Sequence, residues 1–88
     1  MSFDYILSDA LKDVFRKIGK KDKSRAIAIS RKINQIVALD EIAIEHFKNL
    51  RGNLKEYKRV HIGSFVLMFK IQGNQLVFDR FQHHDDAY

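Results

Sequence analysis

The sequence predicts an α+β domain in which one strand and two helices precede a three-stranded antiparallel meander. Apolar residues recur at helical spacing in the first half, and three strand-like segments separated by short glycine turns fill the second half. The chain has 88 residues and 45% hydrophobic content, which is enough for one core. We therefore expect one domain over residues 1–88, with a small, mostly antiparallel sheet packed against a two-helix hairpin.

The first half of the chain predicts a strand followed by the helical hairpin. Bulky residues alternate over residues 3–7, which favours a short strand, and Ser8 is a good N-cap for a helix beginning near residue 9. We expect Gly19 to end that helix, because glycine is the usual residue at a helix C-terminus. After a basic turn, an apolar stripe over residues 22–39 predicts the second helix.

The second half predicts the meander, after a short helical turn or loop over residues 40–53. The middle strand is apolar on both faces, which is typical of the central strand of a covered sheet. Glycine-containing dipeptides between the strands favour tight hairpin turns. The predicted strands and turns are, in order, 54–62, Gly63-Ser64, 65–71, Gly73-Asn74 and 76–81.

The charge distribution favours an acidic or polyanionic partner. The formal net charge is +5 and the isoelectric point is near 9.6, so nucleic acid, the ribosome and an acidic protein segment all qualify. Residues 1–45 hold nine basic and seven acidic side chains, whereas residues 46–88 hold seven and four, together with all four histidines. The positive excess therefore lies where the imidazoles are.

The composition also excludes several classes of protein. There is no cysteine, so a disulfide scaffold or a thiolate metal site is impossible, and we expect a reducing, cytoplasmic setting. The first residues do not form a signal peptide, and no apolar run is long enough to span a membrane.

Four residues of the second half could carry out phosphodiester chemistry. Arg59 and His61 are expected on the outward face of their strand, Arg80 closes the last strand, and His84 lies four residues further on. Cleavage of RNA without metal needs a base for the 2′-hydroxyl, a cation for the transition-state charge and an acid for the leaving oxygen. Two histidines and an arginine can supply all three. The same residues also fit a solvated strand face and a frayed polar tail.

The sequence predicts no cofactor and no metal site. His83 and His84 are followed by two aspartates, which could be a fragment of a metal site. We do not expect one, because adjacent histidines rarely face one ion and no other ligand spacing supports it.

A stretch with few acidic residues favours contact with RNA. Its basic side chains are compatible with ordinary surface charge, but their density favours contact with the phosphate backbone. Two tyrosines that we expect to be exposed are candidates for stacking on bases. The residues concerned are Lys48, Arg51, Lys55 and Lys58 for phosphate, and Tyr57 and Tyr88 for stacking.

Three segments carry a family resemblance: HFKNLRGNLKEYKRVHIG, SFVLMFKI and LVFDRFQHHDDAY. They match a K-x-L-x-G motif with a basic strand and turn, an aromatic–aliphatic central strand, and a C-terminal basic and histidine segment ending in an aromatic. Along nearly its whole length, the sequence resembles the RelE/ParE superfamily of toxins from toxin–antitoxin systems. The resemblance implies a RelE-like β-α-α-β-β-β fold.

The sequence is closer to the YafQ branch of RelE-type toxins than to the other branches. RelE-type members are metal-independent endoribonucleases that cut mRNA in the ribosomal A site. The resemblance therefore implies a translation inhibitor that forms a hetero-oligomer with a cognate RelB-like antitoxin. By the same resemblance, His61, Arg80 and His84 match catalytic residues and Tyr88 matches the terminal aromatic. Taken with the residue pattern, this gives His61 and His84 as general base and acid in either order, and Arg80 as the cation for the phosphate, with Arg59 assisting.

Three positions depart from the family pattern. Val66 stands where many RelE-type members have an arginine, a position at which the YafQ branch also has an aliphatic residue. Lys48 stands where that branch has another histidine, and Ser64 falls near the position of its aspartate.

Two other classes of function remain open on the sequence. A ParE-like toxin would inhibit DNA gyrase by binding, without catalysis. A small structural RNA-binding protein would show the same charge pattern but would not arrest growth.

Overall fold

The computed structural model describes residues 3–47, 49 and 55–86. Its elements are, in chain order, β1 (Asp4–Leu7), α1 (Asp9–Lys21), α2 (Lys23–Val37), α3 (Glu41–Ile44), β2 (Tyr57–Ile62), β3 (Phe65–Gln72), β4 (Gln75–His83) and a single 3₁₀ turn (His84–Asp86). This order confirms the predicted α+β class and the helical turn expected before the meander. No helix in these residues is long and apolar enough to cross a membrane.

The four strands form one mixed sheet in the order β1-β4-β3-β2. β2 pairs antiparallel with β3, and β3 pairs antiparallel with β4, as the meander predicts. β1 pairs parallel with β4 and forms one edge of the sheet. Gly63 and Gly73 begin the two hairpin turns with φ of 61° and 60°, a conformation that glycine adopts without strain. Since β2 stands last in the strand order, it forms the other edge of the sheet.

A single residue, Asp22, both ends α1 and begins α2. Its backbone N–H donates to the Ile18 carbonyl at 2.7 Å, and its carboxylate accepts from the Arg25 backbone N–H at 3.0 Å. The prediction that Gly19 ends the first helix is wrong, because α1 continues to Lys21 and the cap is Asp22. The predicted N-cap at Ser8 is confirmed, since its hydroxyl oxygen accepts a hydrogen bond from the Leu11 backbone N–H at 3.1 Å.

The main core lies between the helices and one face of the sheet. Helix α1 and helix α2 present apolar stripes to it, as their periodicity predicts. A second, smaller cluster lies on the opposite face, where Val66 and Met68 of β3 are buried beside Tyr57. The principal buried residues of the main core are Leu11, Ile29, Ile33 and Ile36 from the helices and Leu67, Phe69, Leu76 and Phe78 from the strands.

We predict that Asp22→Ala lowers the free energy of unfolding by about 1 kcal/mol, because α2 loses its N-cap acceptor. Asp22→Asn keeps an oxygen in the same place and should recover most of that loss. Urea unfolding followed by circular dichroism measures both variants. Equal destabilisation by alanine and asparagine would show that the cap is not the source of the effect.

Candidate active site

The face of the sheet turned away from the helices carries most of the predicted site. Strand pairing places the β2 side chains Tyr57, Arg59 and His61 there, while Val60 is buried toward the helices, as predicted. We call this surface the basic face. Its members are Tyr57, Arg59 and His61 of β2, Val66, Met68 and Lys70 of β3, and Arg80 and Gln82 of β4.

Two arginines of the basic face lie in one row across three strands. Met68 of β3 pairs with Arg59 on one side and with Arg80 on the other. Because neighbouring strands are spaced by about 4.8 Å, the two arginine Cα atoms lie about 10 Å apart, with buried Met68 between them. In the next row, Val66 separates His61 from Gln82. The structure thus brings Arg59, His61 and Arg80 onto one surface.

A β-bulge in β4 determines where Arg80 points. Phe69 pairs with Phe78 and Met68 pairs with Arg80, which leaves Asp79 as an extra residue without a partner position. In a regular strand Arg80 would share the inward face of Phe78, since residues two apart point the same way. The bulge instead turns Arg80 to the face of Met68. The expectation that Arg80 closes the strand is wrong, because β4 continues to His83.

Two long-range hydrogen bonds hold the bulge. The Tyr57 hydroxyl donates to the Asp79 carboxylate at 2.8 Å, and the Ser8 hydroxyl donates to the Asp79 carbonyl at 2.9 Å. The Ser8 backbone N–H also donates to the Phe78 carbonyl at 2.9 Å. The bulge is therefore fixed from β2 on one side and from the start of α1 on the other.

Tyr57 is half-buried, so its predicted exposure is wrong. Its ring packs against Val66 and Met68, and the Lys70 ammonium lies 5.3 Å from the ring centroid. The hydrogen bond to Asp79, assisted by burial, raises the pKa of the Tyr57 phenol above its ordinary value of 10.0. This arrangement gives Tyr57 a structural role at the bulge, and its stacking on RNA stays a prediction.

His84 lies just after β4 and is tied to the β2–β3 turn. Its backbone N–H donates to the Ser64 carbonyl at 2.9 Å, and its Nδ1 lies 3.2 Å from the same oxygen. Its Nε2 lies 3.2 Å from a carboxylate oxygen of Asp85. Because a carbonyl and a carboxylate only accept hydrogen bonds, the doubly protonated imidazolium satisfies both contacts. That is the form able to give up a proton.

His83 lies on the other side of β4 from the basic face. Its ring makes an edge-to-face contact with Phe65, at 5.5 Å between centroids. Its Nδ1 accepts from the Asp85 backbone N–H at 3.3 Å. One potential metal-ligand atom from each of His83, His84 and Asp85 nevertheless lies within 4.8 Å of the others. The two adjacent histidines therefore do not point apart in the way that the sequence argument assumed. All three are at least partly solvent-exposed, and internal hydrogen bonds account for their arrangement.

Lys58 has a different role from the predicted phosphate contact. It is 5% exposed, because strand alternation places it on the inward face with Val60. Its ammonium lies 2.8 Å from the Asn49 side-chain oxygen, 3.3 Å from the Phe47 carbonyl and 3.4 Å from a Glu45 carboxylate oxygen. The prediction of a surface charge at Lys58 is wrong, since its donors are directed to the preceding segment of the chain.

The remaining predicted contacts divide into two groups. Lys55 is exposed in the turn before β2, where its carbonyl accepts from the Asn49 side chain at 2.8 Å. The predictions for Lys48, Arg51 and Tyr88 lie outside the described residues.

A pocket beside β2 contains one residue that the sequence argument did not select. His46 and Phe47 line it together with Arg59, Val60 and His61, and its volume is about 370 Å³. We call it the edge pocket. No periodicity marks His46 as a site residue, because it follows a four-residue helix and reaches β2 only through the fold.

Comparison with known proteins places the chain in a family. The protein called "Putative toxin RelE4" from Methanocaldococcus jannaschii is 36% identical over 89 residues, covering 98% of this chain and 90% of the relative. No protein-family model matches the chain.

Solved structures share the fold at lower identity. The YoeB–YefM complex from Staphylococcus aureus has a TM-score of 0.75 at 16% identity, with coverage of 96% of this chain and 99% of the other. The Escherichia coli DinJ–YafQ toxin–antitoxin complex has a TM-score of 0.71 at 19% identity, with coverage of 100% and 99%. These likenesses show the fold.

The mixed four-stranded sheet, with helices on one face and a basic face opposite, defines a small α+β protein with the fold seen in the YoeB–YefM and DinJ–YafQ structures. The relative from Methanocaldococcus jannaschii, at 36% identity over nearly the whole chain, makes the family assignment specific. The chain belongs to the RelE superfamily of toxins from toxin–antitoxin systems.

We predict that Tyr57→Phe lowers the free energy of unfolding by about 1 kcal/mol near pH 8, through loss of the hydrogen bond to Asp79. The folded-state pKa of this phenol is raised, so its stabilising contribution is fully present below pH 10 and is lost as the pH rises through the raised value. The difference between wild type and variant should therefore shrink at alkaline pH. Urea unfolding at several pH values measures it.

The matched control is Tyr5→Phe, which removes a hydroxyl from an exposed ring on β1. The tyrosinate absorbance of Tyr57, measured as the difference between wild type and Tyr57→Phe, should titrate above pH 10. In Asp79→Asn the pKa of the Tyr57 phenol should fall, because the hydrogen bond to the carboxylate is lost. A Tyr57 signal unaffected by Asp79→Asn would contradict the assigned cause.

Proposed function

We propose that this toxin is a metal-independent endoribonuclease that cleaves mRNA on the ribosome and so inhibits translation. The observation that carries the proposal is the row Arg59–Met68–Arg80, with His61 in the next row of the same face. Two guanidinium groups and an imidazole on rigid strands supply the cation and proton-transfer groups that metal-free cleavage requires.

The reaction is a transesterification within RNA. A general base takes the proton of the 2′-hydroxyl, and the 2′-oxygen attacks the adjacent phosphorus. The bond from phosphorus to the 5′-oxygen breaks, and a general acid protonates that leaving oxygen. The products are a 2′,3′-cyclic phosphate and a 5′-hydroxyl, so atoms and charge balance without a metal or cofactor.

The geometry favours a particular assignment of the two histidines. His84 has an acceptor at each ring nitrogen, which suits an imidazolium acting as the general acid. His61 is exposed near the end of β2 and acts as the general base. Arg80 stabilises the charge on the transferring phosphate, with Arg59 assisting from across Met68.

Binding of RNA rests on cations other than the catalytic residues. Exposed Lys55 remains a candidate phosphate contact, as do Lys48 and Arg51, and Tyr88 is the candidate aromatic at the chain end. Lys58 is no longer among them because its ammonium is buried and engaged.

The proposed partner is a cognate RelB-like antitoxin in a toxin–antitoxin hetero-oligomer. Two structural neighbours are complexes, YoeB with YefM and YafQ with DinJ. On this chain, β1 forms the sheet edge opposite β2 and carries Tyr5 and Ile6, which are 45% and 46% exposed. An acidic antitoxin would neutralise the toxin by covering the basic face or by displacing the segment that carries His84. A complex that leaves this face and segment uncovered and undisturbed would contradict both routes.

We predict that His61→Ala/His84→Ala abolishes mRNA cleavage in a cell-free translation system, with a loss of at least about 100-fold. Primer extension maps the new mRNA ends, and wild-type toxin should produce them within ribosome-bound codons. Translation should continue in the presence of the double variant.

The matched control is Lys12→Ala, which removes an exposed cation of α1, on the helical side of the sheet. It should cleave at close to the wild-type rate. Continued translation with intact mRNA in the presence of the wild-type toxin would contradict the ribonuclease and direct attention to gyrase, as for a ParE-like toxin. Protein that binds RNA without arresting growth would indicate a structural RNA-binding role.

A further inference from the structure

We infer that His46 is a third imidazole of the site, which contacts the ribose whose 2′-hydroxyl is attacked, and that buried Lys58 positions it. This inference rests on the proposed ribonuclease function. It adds one substrate contact and one positioning residue.

The first observation is the edge pocket. His46 and Phe47 form one wall, and Arg59, Val60 and His61 of β2 form the other. With a volume of about 370 Å³, the pocket is within the size range of sites that hold small ligands, so a ribose fits. His46 is exposed, and so is His61, so both imidazoles are accessible to a substrate.

The second observation is the path of the chain. Asn49 forms an antiparallel bridge with Lys58 at the outer edge of β2. This bridge places Asn49, three residues after His46 in the sequence, beside β2. His46 and His61 line the same pocket, so the segment and β2 bring the two residues to one site.

The third observation is the tether at Lys58. Its ammonium contacts acceptors at Glu45, Phe47 and Asn49, which lie on both sides of His46 in the sequence. A buried ammonium is stable only when its hydrogen bonds are satisfied, and here three acceptors satisfy it. A side chain needed only to fill the core could be apolar, as Val60 is. The lysine instead fastens the segment to β2.

Further contacts limit the motion of the same segment. The His46 backbone N–H donates to the Ala43 carbonyl at 3.1 Å, and the Phe47 ring packs edge-on against Phe69 at 5.7 Å. The His46 imidazole is thus an exposed group on a fixed backbone. That combination suits recognition of a substrate, because little order is lost when the ligand binds.

The chemistry of the pocket limits the role of His46. A neutral imidazole offers one donor and one acceptor, which matches the paired donor and acceptor character of a ribose hydroxyl. With His61 as the base, a hydrogen bond from His46 would hold the ribose so that its 2′-hydroxyl faces His61. His46 is therefore assigned to orientation of the nucleotide.

The test compares single-turnover cleavage of mRNA on stalled ribosomes by wild type, His46→Ala, His46→Gln and the control Lys12→Ala. His46→Ala should reduce the rate by at least about 10-fold, the equivalent of one hydrogen bond to the reacting group. His46→Gln keeps a donor and an acceptor and should recover most of the rate. Lys12→Ala should stay within about twofold of wild type, because Lys12 is an exposed residue of α1 and does not line the pocket.

A double-mutant cycle tests the role of Lys58. Lys58→Met should slow cleavage by about the same factor as His46→Ala, and the combined variant should be no slower than either single variant. A general loss of structure would instead add to the effect of His46→Ala. The ¹H–¹⁵N signals of the His46 imidazole should shift in Lys58→Met while the circular dichroism spectrum stays unchanged.

The outcomes separate this inference from the function on which it rests. If wild type cleaves, His61→Ala does not, and His46→Ala cleaves at the wild-type rate, the inference is wrong and the proposed function stands. Additive effects of Lys58→Met and His46→Ala would remove the positioning role. If wild type does not cleave mRNA, both the proposed function and the inference fall.

Discussion

The basic face depends on one irregularity in the sheet, the bulge at Asp79. By inserting one residue opposite Met68 and its neighbour, the bulge turns Arg80 out of the core and into the row that contains Arg59. Its two clamps come from distant parts of the chain: the Tyr57 hydroxyl binds the carboxylate, and Ser8 binds the carbonyl. Ser8 also caps α1, so the start of the helical hairpin and the orientation of the arginine share one residue. Scaffold and site are therefore coupled through a few hydrogen bonds.

The outer edge of β2 provides a second constraint. Lys58 is a buried cation whose acceptors all lie in the segment after α3, and it brings that segment against the strand. The edge pocket exists because of this contact, since His46 and Phe47 line it opposite β2. A positive charge thus serves in two ways in this protein. On the inward face of β2, Lys58 fixes the preceding segment, and on the outward face Arg59 is the cation that we propose assists at the phosphate.

The sequence was sufficient wherever structure depends on nearby residues. Helical periodicity and alternation predicted the elements, and Gly63 and Gly73 marked turns that need positive φ. Contacts between residues far apart in the chain could not be predicted from the sequence. The bulge depends on hydrogen bonds to Asp79 from residues 22 and 71 positions away, so regular alternation could not predict it. The burial of Lys58 was available from its alternation with Val60, but its basic neighbours suggested a phosphate contact. The approach of His46 to β2 required the fold.

The central claim is that the reacting phosphate lies on the basic face between the two arginines. The most direct test is a cryo-electron microscopy structure of the toxin on the ribosome with mRNA that carries a 2′-O-methyl group at the cleavage position. The account predicts the scissile phosphate within hydrogen-bonding distance of Arg80, with Arg59 across Met68 and the modified ribose beside His61. A toxin that binds the ribosome with this face turned away from the mRNA would contradict it.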